Sequence, residues 1–272
     1  MKHSLLLVLV AVGAAAPAAA GTATVAPRHG GPGHARAGYF AFACGFSHRN
    51  QDDPIVFPGA RGRSHDHTYF GNTSTNGLST AASLRTASTT TCRLRADTAA
   101  YWAPTLFVQG RAVEPRGAVV YYVRRTLEPV QPFPAGLAMI AGNAAARTPQ
   151  GFQVTSWSCG RRSTVSAAIP TCPLGSLRLQ VNFPNCWDGS RLDSPDHKAH
   201  MAYSSAGVCP ASHPVEVPAL TLVIHYGISG GSDAELSSGG QFSGHADFIN
   251  AWDQARLSAL VDRYLNRTRR NR

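Results

Sequence analysis

The chain has 272 residues, 43% of them hydrophobic, and 25 Lys and Arg against 15 Asp and Glu give a formal net charge of +10. Nearly all of the excess is arginine, because Lys2 and Lys198 are the only lysines. The length suits one large domain or two small ones, and the absence of a repeat, a mid-chain change of composition or a linker after about residue 38 favours one. A balance this basic favours acidic polymers as partners.

At the start, Met1-Lys2-His3 is a short basic stretch, residues 5–12 are apolar, and Ala18-Ala19-Ala20 offers a cleavage site before Gly21. This is the pattern of a secretory signal peptide over residues 1–20, with an apolar run too short to stay as a membrane anchor. The mature protein is expected to be extracellular, soluble and monomeric, with neither membrane nor nucleic acid as a partner. Residues 21–38, rich in Gly, Ala, Pro and His, bury too little apolar surface to order themselves and read as a disordered lead.

The remainder, residues 39–265, reads as a single β-rich domain. Its six cysteines, Cys44, Cys92, Cys159, Cys172, Cys186 and Cys209, include no CxxC pair. An even count in an exported chain points to three disulfides, with about 15 connectivities open, rather than to a structural zinc site. Sequential pairing (Cys44–Cys92, Cys159–Cys172, Cys186–Cys209) is the expectation, the short loops favouring the last two.

In chain order, residues 73–91 are Ser- and Thr-rich and read as a long loop, and residues 97–104 as a turn bearing Tyr101 and Trp102. Short β-type runs follow at 105–108, 118–126, 137–140, 151–157, 177–183 and 219–226, separated by Gly and Pro turns. The fold class is therefore mainly β, a β-sandwich or jelly-roll-like domain with long loops. In 177–183, Arg178, Gln180 and Asn182 share the face opposite the apolar residues, as a sugar-binding groove requires and as a plain solvated face also shows. In 219–226, His225 stands opposite the apolar face. One C-terminal α-helix is expected from residue 246 to about 265, with Phe248, Ile249, Trp252, Leu257, Leu260 and Val261 at helical spacing, before a basic tail over 266–272.

Three His/Asp clusters stand out. His65-Asp66-His67 would place two imidazoles on one face of a strand, toward one metal or one substrate. Gly59 followed by His65-x-His67 matches the start of a cupin metal motif, but the glutamate that should follow is missing. Asp193-Ser-Pro-Asp196-His197-Lys198-Ala-His200 follows Cys186-Trp187 in a loop that a Cys186–Cys209 bridge would constrain. His245-Ala-Asp247 falls at the start of the expected helix, where the dipole would keep a histidine neutral and suited to act as a base. Each cluster alone reads as capping or loop residues; together they could converge at one end of a sandwich.

Longer motifs carry a resemblance: Ser47-His48, Pro58-Gly59 with Ser64-His65-x-His67-x-Tyr69-Phe70-Gly71-Asn72, Tyr101-Trp102-x-Pro104, Asn185-Cys186-Trp187-Asp188-Gly189, Asp193 to His200, and His245-x-Asp247-Phe248-x-Asn250-x-Trp252-Asp253. Over residues 39 to about 262 the chain resembles the exported domain-of-unknown-function family numbered nineteen ninety-six, seen in fungal and actinobacterial proteins. The resemblance implies an exported protein acting on or near polysaccharide, with no settled activity, and implies that the three clusters form one site.

The leading reading is a secreted, carbohydrate-active hydrolase or lyase. His65, His67, Asp196, His200, His245 and Asp247 would form its acid–base centre, with no cofactor. A hydrolase would use two carboxylates, Asp196 and Asp247; a lyase would set a cation or neutral donors against a uronate carboxylate, with a base for the adjacent C–H. His48, Tyr69, Tyr101, Trp102, Arg178, Gln180, Asn182, Trp187, His197, Lys198 and His225 are the candidate substrate-binding residues, and the expected partner is a polysaccharide or cell-wall polymer, anionic in character. The alternatives are a non-catalytic glycan-binding protein, in which Tyr101, Trp102 and Trp187 stack on sugars, and a metalloprotein ligated by His65, His67 and either His200 or His225.

Overall fold

Short alternating strands bury their apolar sides by stacking one sheet on another. In the computed structural model, two antiparallel sheets do this. The structure describes residues 38–267 apart from residue 162; the expected signal peptide, nearly all of the lead and the end of the basic tail lie outside the described residues.

The strands of the two sheets are β1 (Tyr39–Cys44), β2 (Phe46–Asn50), β3 (His67–Gly71), β4 (Ala100–Pro104), β5 (Gly117–Val123), β6 (Ala138–Gly142), β7 (Thr155–Ser158), β8 (Val165–Ser166), β9 (Arg178–Asn182), β10 (Ala219–His225) and β11 (His245–Ile249). One sheet has the order β1-β5-β10-β9-β7-β8 and the other β2-β3-β4-β11-β6. The fold is thus mainly β and sandwich-like. Small ribbons decorate it, one from Cys186–Trp187, Met201–Ala202 and Val215–Glu216, another from Leu106–Val108, Arg111–Ala112 and Ala234–Leu236.

The core lies between the sheets. Val120, Tyr122, Leu179, Val181, Leu220, Leu222 and Ile224 point into it from the first sheet, and Phe70, Tyr101, Met139 and Phe248 from the second. Fully burying one such side chain is worth roughly 1.5–3 kcal/mol, so this shared face is what holds the sheets together. A polar chain crosses the same core. Tyr101 Oη donates to Asp97, Tyr122 Oη lies 2.6 Å from Tyr101 Oη, and Trp252 Nε1 donates to Tyr122 Oη at 2.8 Å. Burial pushes the Asp97 carboxyl up to about 8.

Two expectations about elements change. Within the expected turn at 97–104, Ala100–Pro104 form a strand, β4, hydrogen-bonded between β3 and β11. Residues 245–249 are a strand as well; the C-terminal α-helix begins at Gln254, capped by Asp253, and runs to Leu260 before a π-helical turn at Val261–Asn266. The apolar spacing of Phe248, Ile249 and Trp252 fits either element, and pairing with β4 and β6 decides it. The Ser/Thr-rich stretch holds a short helix, α1 (Ala81–Ala87), started by a Thr80/Ser83 capping box. The C-terminal helix is α2 (Gln254–Leu260).

The disulfides are Cys44–Cys92, Cys159–Cys172 and Cys186–Cys209, the sequential pairing. Among the described residues no helix is long and apolar enough to cross a membrane.

Candidate metal centre

Strand parity builds this site. In β3, Thr68 and Phe70 alternate with His67 and Tyr69; in β11, Ala246 and Phe248 alternate with His245 and Asp247. Phe70, Ala246 and Phe248 belong to the core between the sheets. His67, Tyr69, His245 and Asp247 therefore occupy the opposite, outer face of the five-stranded sheet. Register aligns them: Tyr69 and Asp247 are both partners of Trp102 in β4, and His245 pairs with Gly142 in β6. The loop between β2 and β3 and helix α1 cover this face, packing Ile55 and Leu84 against Tyr69 and Trp102.

The loop also carries His65 over the strand ends. His65 Nε2 lies 3.2 Å from His245 Nε2, and His67 Nε2 lies 3.5 Å from the same atom. Two of these rings are fixed in one tautomer. His67 Nδ1–H donates to the Asp52 carbonyl at 2.9 Å, and His245 Nδ1–H donates to the Ser243 carbonyl at 2.9 Å. Their Nε2 atoms are consequently the lone-pair ends, and both face the same point as His65. Burial, the largest influence on each ring, pushes His67 well below the ordinary histidine range and His245 down to about 3; it lowers His65 as well. All three are thus neutral near pH 7, the form that binds metals.

Around a tetrahedral ion with metal–nitrogen bonds of 2.0–2.1 Å, ligand nitrogens stand about 3.3–3.4 Å apart. The observed 3.2 and 3.5 Å bracket that value. The lone-pair ends of His67 and His245 stand 3.5 Å apart with no proton between them, an arrangement that a shared cation stabilises. Backbone carbonyls holding the far nitrogens of His67 and His245 supply the outer support usual for ligating histidines.

Asp247 provides a second, separate indication. It is 1% exposed, Oδ2 lies 3.9 Å from His245 Nε2, and among the described residues neither carboxylate oxygen has a hydrogen-bond partner. Burial, then the nearby Asp53, raises its pKa well above the ordinary range. A buried carboxyl left without donors costs several kcal/mol, and a cation is the natural remedy. Asp53 approaches from the loop: Oδ1 caps the Ile55 and Val56 amides at 2.9 Å, and a carboxylate oxygen, a His67 ring nitrogen and an Asp247 oxygen lie within 4.8 Å of one another. Asp52 and Asp53 both accept from loop amides, Asp52 Oδ1 from Gly62 and Asp53 Oδ1 from Ile55 and Val56, as turn residues do. Asp53 also faces the site, and the Asp52 carbonyl orients His67 and accepts from Tyr69 Oη.

The other expected site residues separate into several places. His200 is not part of the centre. It is fully buried, with Nε2–H donating to the Ala138 carbonyl at 2.7 Å and Nδ1 2.9 Å from Ser194 Oγ, so it pins the 193–200 loop to β6. Asp196 is a turn cap: it accepts from the Lys198 and Ala199 amides and from Ser194 Oγ, and these donors hold its pKa well below the ordinary value. The three clusters therefore do not form a single constellation. Lys198 does approach: its Nζ donates to the Gly142 carbonyl, and its charge helps depress His245. His197 pairs with Asp193 at 2.9 Å and lies near enough to Asp53 to influence it.

Tyr101 and Trp102, expected to stack on sugars, are both 0% exposed and unavailable for that role. Tyr69 is equally buried, and His48 stacks on it at 4.7 Å with Nε2–H donating to the Thr75 carbonyl. Trp187 is half-buried and donates to the Arg191 carbonyl. Arg178, Gln180, Asn182 and His225 lie on the six-stranded sheet instead; Gln180 and Thr221 both donate to Asn182 Oδ1, and Arg178 pairs in register with His225. The helix-dipole account of His245 is replaced, since His245 is in a strand and owes its neutrality to burial.

No curated protein and no solved structure matches the chain. A family model described as "Domain of unknown function (DUF1996)" matches residues 53–252, a span that includes Asp53, Asp247 and the three converging histidines. The chain belongs to the DUF1996 family.

Proposed function

We propose that this is an exported metalloprotein in which His65, His67 and His245, with Asp247 beside them, hold a divalent zinc-class ion, and that the centre acts on an acidic polysaccharide. The observation that carries the reading is the convergence of the histidine Nε2 atoms at 3.2 and 3.5 Å while the far nitrogens of His67 and His245 are tied to backbone carbonyls. Three disulfides support an extracellular compartment.

An ion at this position would polarise a substrate oxygen or lower the pKa of a bound water. Two-carboxylate hydrolysis loses its support, because Asp196 caps its own turn through Oδ1 and is not among the carboxylates gathered at the histidines. Elimination next to a uronate carboxylate is the reaction class that fits better: the cation would neutralise the carboxylate, the Asp53 carboxylate would accept the adjacent C–H proton, and the C=C bond would form as the neighbouring C–O bond breaks, its oxygen leaving with a proton from solvent. His65, the half-buried member of the set, lies on the open side.

The test begins with metal content. Protein dialysed against a chelator, reloaded with zinc and freed of excess should retain about one ion per chain, and His67→Ala should retain none. Incubation with neutral and uronic polysaccharides should then yield unsaturated products only from the uronic polymers, lost in His67→Ala and after chelation. Failure to retain any ion among zinc, copper and manganese would sink the metal centre. Metal retention without products would leave the centre standing and remove the polysaccharide chemistry.

A further inference from the structure

A second cluster of basic groups lies on the six-stranded sheet, away from the elements that build the metal centre. A cleft of about 160 Å³ is lined by Arg116, Leu174–Arg178 and His225–Gly227. Pairing explains why its basic groups meet. Arg178 and His225 are direct partners between β9 and β10, so their side chains leave the sheet side by side. His225 also pairs with Gly117, which brings the preceding residue, Arg116, to the same sheet end; the Arg116 amide donates to the His225 carbonyl at 2.8 Å.

A missing side chain shapes the cleft. A Cβ on Gly227 would lie 2.5 Å from Arg116 Nε, so glycine there lets the guanidinium lie across the backbone. Arg161, in the β7–β8 connection, is close enough for its charge to act on His225. Burial first, and then Arg178 and Arg161, lower the His225 pKa.

The cleft has no acid to balance it. Among the described residues, neither Arg116 nor Arg178 has a carboxylate within 4.0 Å, and no hydrogen bond involves either guanidinium or the His225 ring. Like charges brought together without counter-charge repel, and fork-shaped guanidinium donors match the two oxygens of a carboxylate or sulfate. Ser176, at the edge, donates to the Pro173 carbonyl. Beside them Leu174 is 97% exposed, an apolar surface against which a sugar ring can rest.

We propose that the Arg116–Arg178–His225 cleft is an oxyanion-binding subsite that holds the carboxylate or sulfate group of an acidic polysaccharide. It stands on residues separate from the metal centre, and its test does not require the ion. The measurement is calorimetric titration with an oligogalacturonate, a sulfated oligosaccharide of the same length, a neutral oligosaccharide of that length, and inorganic sulfate. Wild type should bind one or both acidic oligomers and not the neutral one; Arg116→Gln and Arg178→Gln should each weaken binding about tenfold or more, the effect of losing a charge-assisted pair. In chelator-dialysed protein, where the metal centre contributes no cation, the acidic oligomers should still bind and both arginine substitutions should still weaken them, which separates this subsite from the metal centre. The ring resonances of His225 in the unmutated protein should shift on titration, a readout that needs no variant to fold. Binding of sulfate alone would overturn the polysaccharide assignment. Binding equal for neutral and acidic oligomers, binding unaffected by both arginine substitutions, or an unmoved His225 would overturn the subsite.

Discussion

His200→Ala and His245→Ala should affect two different quantities, although both remove a buried histidine. His200 donates to the Ala138 carbonyl at 2.7 Å, and its Nδ1 lies 2.9 Å from Ser194 Oγ. Truncation loses two hydrogen bonds, leaves the Ala138 carbonyl unpaired and opens a small cavity, a cost of roughly 3 kcal/mol. For a domain of this size that lowers Tm by roughly 6–12 °C. The removed ring touches no metal-facing atom, so the gain in Tm on adding zinc should persist. His245 is the reverse case. Its Nε2 is the atom shared by both short contacts, and its removal leaves two imidazoles too few to fix the ion. Zinc at a hundred times its Kd stabilises wild type by about 2.7 kcal/mol, a gain of roughly 5–10 °C that His245→Ala should lose. Differential scanning calorimetry on chelator-dialysed protein, with and without zinc, measures both. A zinc-dependent gain surviving in His245→Ala, or vanishing in a folded His200→Ala, would refute the assignment of one histidine to the ion and the other to the scaffold.

Gly142→Ala should impair metal retention without touching a ligand, because its φ is +85° and a Cβ would lie 2.5 Å from the Gly244 carbonyl and 2.9 Å from His245 Cα; retained zinc per chain, set against a circular dichroism spectrum, tests it. Replacing Cys44 and Cys92 by Ser should cost about 4 kcal/mol and replacing Cys159 and Cys172 about 3 kcal/mol, since the chain separations are 48 and 13 residues; urea unfolding should rank them in that order. Asp97 holds a proton in the folded state up to about pH 8 and in the unfolded chain only to about 4, so its contribution is fully present below about pH 4 and fades as pH rises through about 8. The stability difference between wild type and Asp97→Asn should therefore shift against wild type by up to about 1.4 kcal/mol per pH unit in that window; a flat difference curve would show that Asp97 ionises normally.

The parts of the fold that could be read in the sequence, and the parts that could not, follow from which faces of each sheet are covered. The runs at 118–126, 177–183 and 219–226 were legible because their sheet packs one face on the core and leaves polar residues such as Arg178 and Gln180 partly open, so period two survives in the residue types. The five-stranded sheet is covered on both faces, by the main core inside and by Ile55, Leu84 and their loop outside. Every residue of β3, β4 and β11 is buried, and the alternation that marks a strand is erased. Ala100–Pro104 then reads as a turn, and His245–Ile249 merges with the helix behind it. The same double burial makes the centre chemically special, because polar groups on a doubly covered strand must find partners there, and the Asp247 oxygens have none among the described residues. His65-x-His67 and His245-x-Asp247 were visible as pairs two apart, and only the register through Trp102 joins them. His200 shows the opposite limit: nothing in Asp193–His200 distinguishes an imidazole bonded to a remote carbonyl from one aimed at a ligand. The sheet that hid its strands from the sequence is the one that holds the candidate ligands, since burial on both sides removes the pattern and creates the need for a cation.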